Sequence, residues 1–144
     1  MRSMTDIVQV TEADKKTSEQ VHALIRQLDE HKSCSLGHLQ GLVESPTAEL
    51  WVAREGGKIV GMATLTLATR ISGLSARMDD VVVDAGQRGK GVGKSLCEKI
   101  IERARARGAR SLHLTSRPSR EAANKLYQKL GFKLHETNSY QIQL

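Results

Sequence analysis

The sequence is short of the residues that staple or span. Its 144 residues include two cysteines, Cys34 and Cys97, and no C-x-x-C pair. A disulfide framework and a thiolate metal or redox motif are therefore excluded. No apolar run nears the ~20 residues of a membrane span, and MRSMTDIVQV lacks the apolar stretch of about 7–15 residues that marks a secretory signal. The expectation is a cytoplasmic protein with no membrane partner. Aromatic residues make up 3%, so the core must be aliphatic and nothing aromatic interleaves the basic residues to stack bases. No nucleic-acid partner is expected. The five histidines show no metal-ligand spacing on one helix face, and no metal is expected. There is no repeat, low-complexity tract or linker.

What remains is ordinary for a globular chain: 39% hydrophobic and 26% charged residues, over a length that fits one domain, 1–144. The net charge is +6. Arg103, Arg105, Arg107 and Arg110 cluster, which reads either as a solvated helix face or as a lure for a polyanion.

Hydrophobic period then places the elements. Ile7–Val10 reads as a strand. Val21, Leu24, Ile25 and Leu28 give helical spacing over 18–31, and Leu36, Leu39 and Val43 a shorter helix stopped at Ser45-Pro46. Strands Leu50–Arg54 and Lys58–Thr69 flank Gly56-Gly57, a hairpin signal. A third strand runs over 77–83, where three consecutive valines suggest burial on both faces. Val92, Leu96, Ile100 and Ala104 make one stripe of a long helix ending near Gly108. Strand 111–115, helix 120–130 and two last strands, 132–135 and 140–144, complete an α+β domain: one mixed, mostly antiparallel sheet flanked by helices.

Between the valine strand and the long helix lies RGKGVGKS, residues 88–95. It fails the phosphate-loop pattern G-x-x-x-x-G-K-[ST], because the leading glycine would fall at Arg88. It also fails the dinucleotide pattern G-x-G-x-x-G, and no acidic residue follows about 20 positions on. The physics of an anion cradle is nevertheless present. Gly89, Gly91 and Gly93 leave the backbone open, the helix start offers unpartnered N–H groups, and Arg88, Lys90 and Lys94 add positive charge. The loop reads as a pyrophosphate site; the alternative is a turn that merely joins strand to helix.

Arg88-Gly89-Lys90-Gly91-Val92-Gly93 resembles R-x-x-G-x-G, the acetyl-CoA pyrophosphate motif of the GNAT superfamily of N-acetyltransferases. Upstream, Met78–Asp84 looks like that family's pantetheine-carrying strand. Downstream, Ala123–Phe132 is similar to its A-N-x-x-Y-x-x-x-G-F signature. The three blocks fall in order within residues 48–135, an acetyl-CoA-binding core, and leave 1–45 as a variable acceptor-side part. The resemblance implies a GNAT-like acyl-CoA N-acyltransferase fold and transfer of an acetyl group from acetyl-CoA to a primary amine by direct attack in a ternary complex. It implies that backbone groups of Val81, Val82 and Val83 meet the pantetheine, and that an N–H near Val81 or Val82 holds the oxyanion. The amides of 88–94, including Val92 and Lys94, would wrap the pyrophosphate. Asn124 would meet the pantetheine arm or phosphate region, and Tyr127 would serve as general acid to the sulfur.

A protonated alkyl amine has a pKa of roughly 10, so a base must act near neutrality. The resemblance points to Asp79, through water, with Asp80 as its rival. As strand neighbours the two should face opposite sides, so that only one meets the cleft. Cys97 is expected to be a buried inert thiol, and an acetyl-Cys34 intermediate would need a base beside it. His31 and His38 could line an acceptor pocket. Segments 30–45, 68–77 and 137–140 should rim it, with a small-molecule acceptor and a homodimer through the C-terminal strands as further expectations. The alternatives are a metal-dependent nucleotide module, which the pattern failures oppose, and a non-catalytic acyl-CoA sensor or basic binding module.

Overall fold

The computed structural model describes residues 5–144. Its elements in chain order are β1 (Asp6–Gln9), α1 (Lys15–Leu28), α2 (Leu36–Glu44), β2 (Ala48–Glu55), β3 (Lys58–Arg70) and β4 (Gly73–Val83). A short 3-10 turn at Ala85–Gln87 follows, then α3 (Val92–Ala106), β5 (Leu112–His113) and α4 (Glu121–Lys129). The strands form one sheet in the order β1-β2-β3-β4-β5. The first three pairings are antiparallel and the last is parallel. Among the described residues, no helix is long and apolar enough to cross a membrane.

Local chemistry explains the helix ends. Asp14 caps α1 by accepting from the Thr17 N–H at 2.7 Å, and Ser35 caps α2 by accepting from the His38 N–H at 3.1 Å. After α4, Gly131 takes φ +101°, the Gly131 N–H donates to the Gln128 carbonyl, and the Phe132 N–H donates to the Tyr127 carbonyl. This is the six-to-one closure that a left-handed glycine permits. It also sets the Phe132 ring edge-on to Tyr127 at 6.0 Å.

Aliphatic side chains cover both sheet faces. On one, Val92, Leu96, Ile100 and Ala104 of α3 meet Val60, Leu65, Ala76 and Met78. On the other, Val21, Leu24 and Ile25 of α1 and Leu39 of α2 meet Leu50, Val52, Ile59 and Met62. Truncating a fully buried member such as Leu96 to alanine would cost ~2–5 kcal/mol.

Two expectations fail at the C-terminal side. The strand over 111–115 shrinks to Leu112–His113, and the strands over 132–135 and 140–144 do not form. The alternation of Tyr140, Ile142 and Leu144 fits a strand, but these side chains stand 80–113% exposed. Period alone makes no strand, because extended backbone needs a neighbouring ladder to pair its N–H and C=O groups.

Candidate active site

The site begins at a fault in the sheet. Met62 pairs with Val82 and Thr64 with Asp79, so Ala63 stands opposite two residues, Asp80 and Val81. This is a β-bulge, and its extra residue is left out of the ladder. Asp80 takes φ +54°, the one positive φ at a non-glycine among the described residues. The bulge changes which residues share a face. Met78 packs toward α3, and so does Val81, with two residues rather than one between them. Strict alternation would send Asp79 and Asp80 to opposite sides. Instead both line one cleft, which corrects that expectation.

The bulge is held from below. The hydroxyl of buried Thr64 donates toward the Asp79 carbonyl at 3.0 Å and the Asp80 Oδ2 at 3.1 Å. Arg77 Nε sits 3.0 Å from both Asp79 carboxylate oxygens, and its Nη2 donates to Thr115 Oγ1 at 2.9 Å. Asp79 is thus ion-paired, whereas Asp80 has no cation against it among the described residues.

Just before the bulge, β4 loses its other neighbour. Its parallel pairing with β5 covers Ala76–Leu112 and Arg77–His113 and goes no further. From there the two backbones diverge around a cleft of about 520 Å³, with Met78–Val81 on one wall and 114–117 on the other. Tyr127 of α4 closes the floor, and the segment after α1 forms the lip. Burial, reinforced by the Cys97 thiol and opposed by Arg120, pushes the Tyr127 phenol up to about 12. It is therefore a protonated donor across the neutral range. Ser116 Oγ is buried there without a partner.

At the far end of β4, Gly89 and Gly91 take φ +79° and +83°, a region L side chains avoid. Gly91 is the N-cap of α3 and supplies no side-chain cap, so the first N–H groups of that helix lack intrahelical partners. A Cβ on Gly93 would meet Val83 and Leu126 at ordinary contact distances of 3.5 and 3.7 Å. The protein itself therefore does not require glycine there. Arg88 folds back, its Nε donating to the Val83 carbonyl at 3.1 Å, while Lys90 reaches Gln87 at 3.4 Å. Gln27 of α1 braces the loop entry, donating to Asp84 at 2.8 Å and accepting from the Ala85 N–H at 3.1 Å.

The residues that carry this parted sheet, bulge and glycine-opened helix start fall within 8–132, the stretch of the chain that matches the acetyltransferase (GNAT) family model. The chain belongs to the GNAT family. It is 39% identical over 83 residues to a glucosamine 6-phosphate N-acetyltransferase of Trypanosoma brucei brucei, a match covering 56% of this chain and 54% of that protein. With an N-acetylaspartate synthetase of Xenopus tropicalis it shares 34% over 100 residues, 65% of this chain and 34% of that protein. The chain thus spans about half or less of these relatives. Among solved structures, a Trypanosoma brucei acetyltransferase superposes with a TM-score of 0.81 at 26% identity, covering 97% of this chain and 99% of the other. An aminoglycoside acetyltransferase from a soil metagenome, in complex with sisomicin, reaches 0.84 at 21% identity over 97% and 95% of the two chains, a likeness of fold.

Within this GNAT frame, Asp79, Val81 and Tyr127 come together at the cleft, and Val83, Arg88, Gly89, Lys90, Gly91, Val92, Gly93 and Lys94 gather at the α3 end. Val82 lies on the opposite face, packed with the α1 cluster. The Asn124 side-chain amide donates to the Arg117 carbonyl at 3.0 Å and so ties α4 to the loop before it. His31 lines the cleft, while the His38 backbone serves the α2 cap. Cys97 is fully buried, and burial pushes its thiol up to about 11. The sequence places Lys32 and Arg77 only within the rim segments 30–45 and 68–77 and singles out none of Thr64, Ser116 and Arg117, since no spacing announces residues that a bulge and a parted strand pair bring together.

The arginine cluster resolves otherwise than expected. Arg103 grips Glu49 through two bonds of 2.9 and 3.0 Å, and Arg107 adds a third of 2.6 Å. Trp51 Nε1 donates to the same carboxylate at 2.9 Å. Arg110 donates to the Ser72 carbonyl at 2.6 Å. Three of the four guanidiniums therefore bind the protein itself rather than forming a solvated face or a lure for a polyanion.

Proposed function

We propose that this chain moves an acetyl group from acetyl-CoA to a primary amine by direct attack within a ternary complex. The observation that carries this is the parting of β4 from β5 beside the bulge, which leaves an unpaired strand edge running from the α3 loop to Tyr127. An extended amide-bearing arm can add to such an edge as a further strand would. In this reading backbone groups of Val81–Val83 meet the pantetheine, the N–H groups at 89–94 and the start of α3 hold the pyrophosphate, and Arg88, Lys90 and Lys94 balance its charge. Gly93 leaves room for the phosphates. Asn124 acts by holding the loop beneath the arm.

The amine nitrogen attacks the thioester carbonyl. A C–N bond forms, the C–S bond breaks, and the ammonium proton leaves through water to Asp79. The N–H released at the bulge near Val81 receives the oxyanion. Tyr127 donates to the departing sulfur. A phenol near 12 is a weaker acid than a thiol, so Tyr127 stabilises the departing thiolate by a hydrogen bond while keeping its proton, and the released thiolate takes its own proton from solvent. A small acceptor fits a cleft of this size.

The test is acetyl-CoA-dependent release of free thiol across a panel of amines, with calorimetric titration of acetyl-CoA alone. Binding with amine-dependent release supports the reading. Binding without release on any amine would make the chain an acyl-CoA sensor, and no binding would reject the site.

A further inference from the structure

The cleft sorts its charges. On the β4 wall, Asp80 has no cation against it, its Oδ2 accepting from Thr64 at 3.1 Å. Asp80 is also near enough to Cys34, on the segment linking α1 to α2, to reinforce the upward push that burial gives that thiol. Asp80 lines the same cleft as the lip residues Asp29, His31 and Lys32. On that lip and on the loop after β5 stand Lys32 and Arg117, whose side chains make no hydrogen bond or ion pair among the described residues. Both approach Asp29, whose carboxyl is lowered first by the His31 N–H and then, after a burial penalty, by His31, Lys32 and Arg117. The neighbouring cations are occupied: Arg77 by Asp79 and Thr115, and Arg120 by the Leu28 carbonyl at 3.0 Å. Ser116, whose hydroxyl is buried without a partner, lines the same cleft.

Resting on the acetyltransferase reading, we propose that the acceptor is a primary amine that also carries an anionic group, a phosphate or a carboxylate. Its ammonium is received at Asp80 and its anion by Lys32 and Arg117, with Ser116 free to donate between them. A polycationic amine would set like charge against Lys32 and Arg117, and a neutral one would leave both unused. The diphosphate loop does not compete for them. None of residues 88–94 lines the cleft that Lys32 and Arg117 line.

The experiment compares matched acceptors with the full chain and acetyl-CoA: 2-aminoethyl phosphate against ethanolamine, β-alanine against 3-aminopropanol, and spermidine as the polycation. At least one anionic member should exceed its neutral partner about tenfold in kcat/KM, with spermidine lowest. Arg117→Ala and Lys32→Ala should each raise KM for that anionic amine severalfold, more at low salt, with Arg117→Lys restoring most of the loss. Equal turnover of anionic and neutral partners, or preference for spermidine, overturns the inference while leaving the acetyltransferase reading intact. A rise in KM for acetyl-CoA instead overturns it too, because the cations would then serve the coenzyme. Should no amine turn over, calorimetric titration of 2-aminoethyl phosphate and β-alanine into the CoA complex decides: binding lost in Arg117→Ala supports the inference, and no binding rejects it.

Discussion

Two charge clusters of this chain have opposite fates. The Glu49 cluster is closed. Glu49 is 3% exposed, three guanidinium bonds and an indole N–H converge on it, and Lys99 and Arg103 stand over the Trp51 ring at 5.3 and 5.8 Å. The guanidiniums, Arg103 first, hold its carboxyl down at about 2. The cleft cluster is open: among the described residues no salt bridge reaches Asp80, and the Lys32 and Arg117 side chains make neither a hydrogen bond nor a salt bridge, standing only in the vicinity of Asp29. Arginines four positions apart in the sequence became a staple between β2 and the C-terminal end of α3. Charges 37 to 85 positions apart (Asp80 to Arg117, Lys32 to Arg117) came to line one cleft. Charge density along a chain is a poor guide to function, because a fold can consume any charge it can pair.

Removing a reacting group from the open cluster should give the largest effect. Tyr127→Phe is expected to cut kcat by about 100-fold with little change in acetyl-CoA affinity. Stopped-flow thiol release alongside titration checks this, and unchanged turnover would take Tyr127 out of the mechanism. In the closed cluster the loss should appear in stability instead. Glu49→Ala strands two partly buried guanidiniums and should cost about 3 kcal/mol in urea unfolding, with kcat retained in the folded protein. If kcat fell while stability held, the two clusters would have been assigned the wrong way round.

Acid sharpens the contrast. The carboxyl of Glu49 lies lower in the folded chain, at about 2, than its ordinary 4.5. Its contribution is therefore complete above pH 4.5 and fades as pH falls through 4.5 toward 2. Unfolding midpoints of the parent chain should drop across that window more steeply than those of Glu49→Gln; parallel curves would show the staple to be idle. The smallest effect belongs to the open cluster again. Lys32→Ala should leave stability within about 0.5 kcal/mol, and a larger loss in thermal unfolding would mean Lys32 has a structural partner.

Much was legible in the residues. The stripe Val92, Leu96, Ile100 and Ala104 fixed α3, Gly56-Gly57 fixed the β2–β3 hairpin, and the Gly89 and Gly91 turns fixed the helix start. Each is a local matter of period or backbone freedom. Tyr140, Ile142 and Leu144 read as a strand and are not one, because a strand needs a ladder that period cannot supply.

The sequence by itself determined the helices, the β2–β3 hairpin, the aliphatic core and the glycine-lined start of α3, since all of these follow from neighbours a few residues apart. Only the tertiary structure decided that Asp79 and Asp80 share a cleft, that Arg103 and Arg107 are spent on Glu49, and that Lys32 and Arg117 are not. The shared cleft depends on one extra residue in β4 and on how far β5 follows it, and the Glu49 staple on α3 packing across β2; the pairing and packing of distant segments set both.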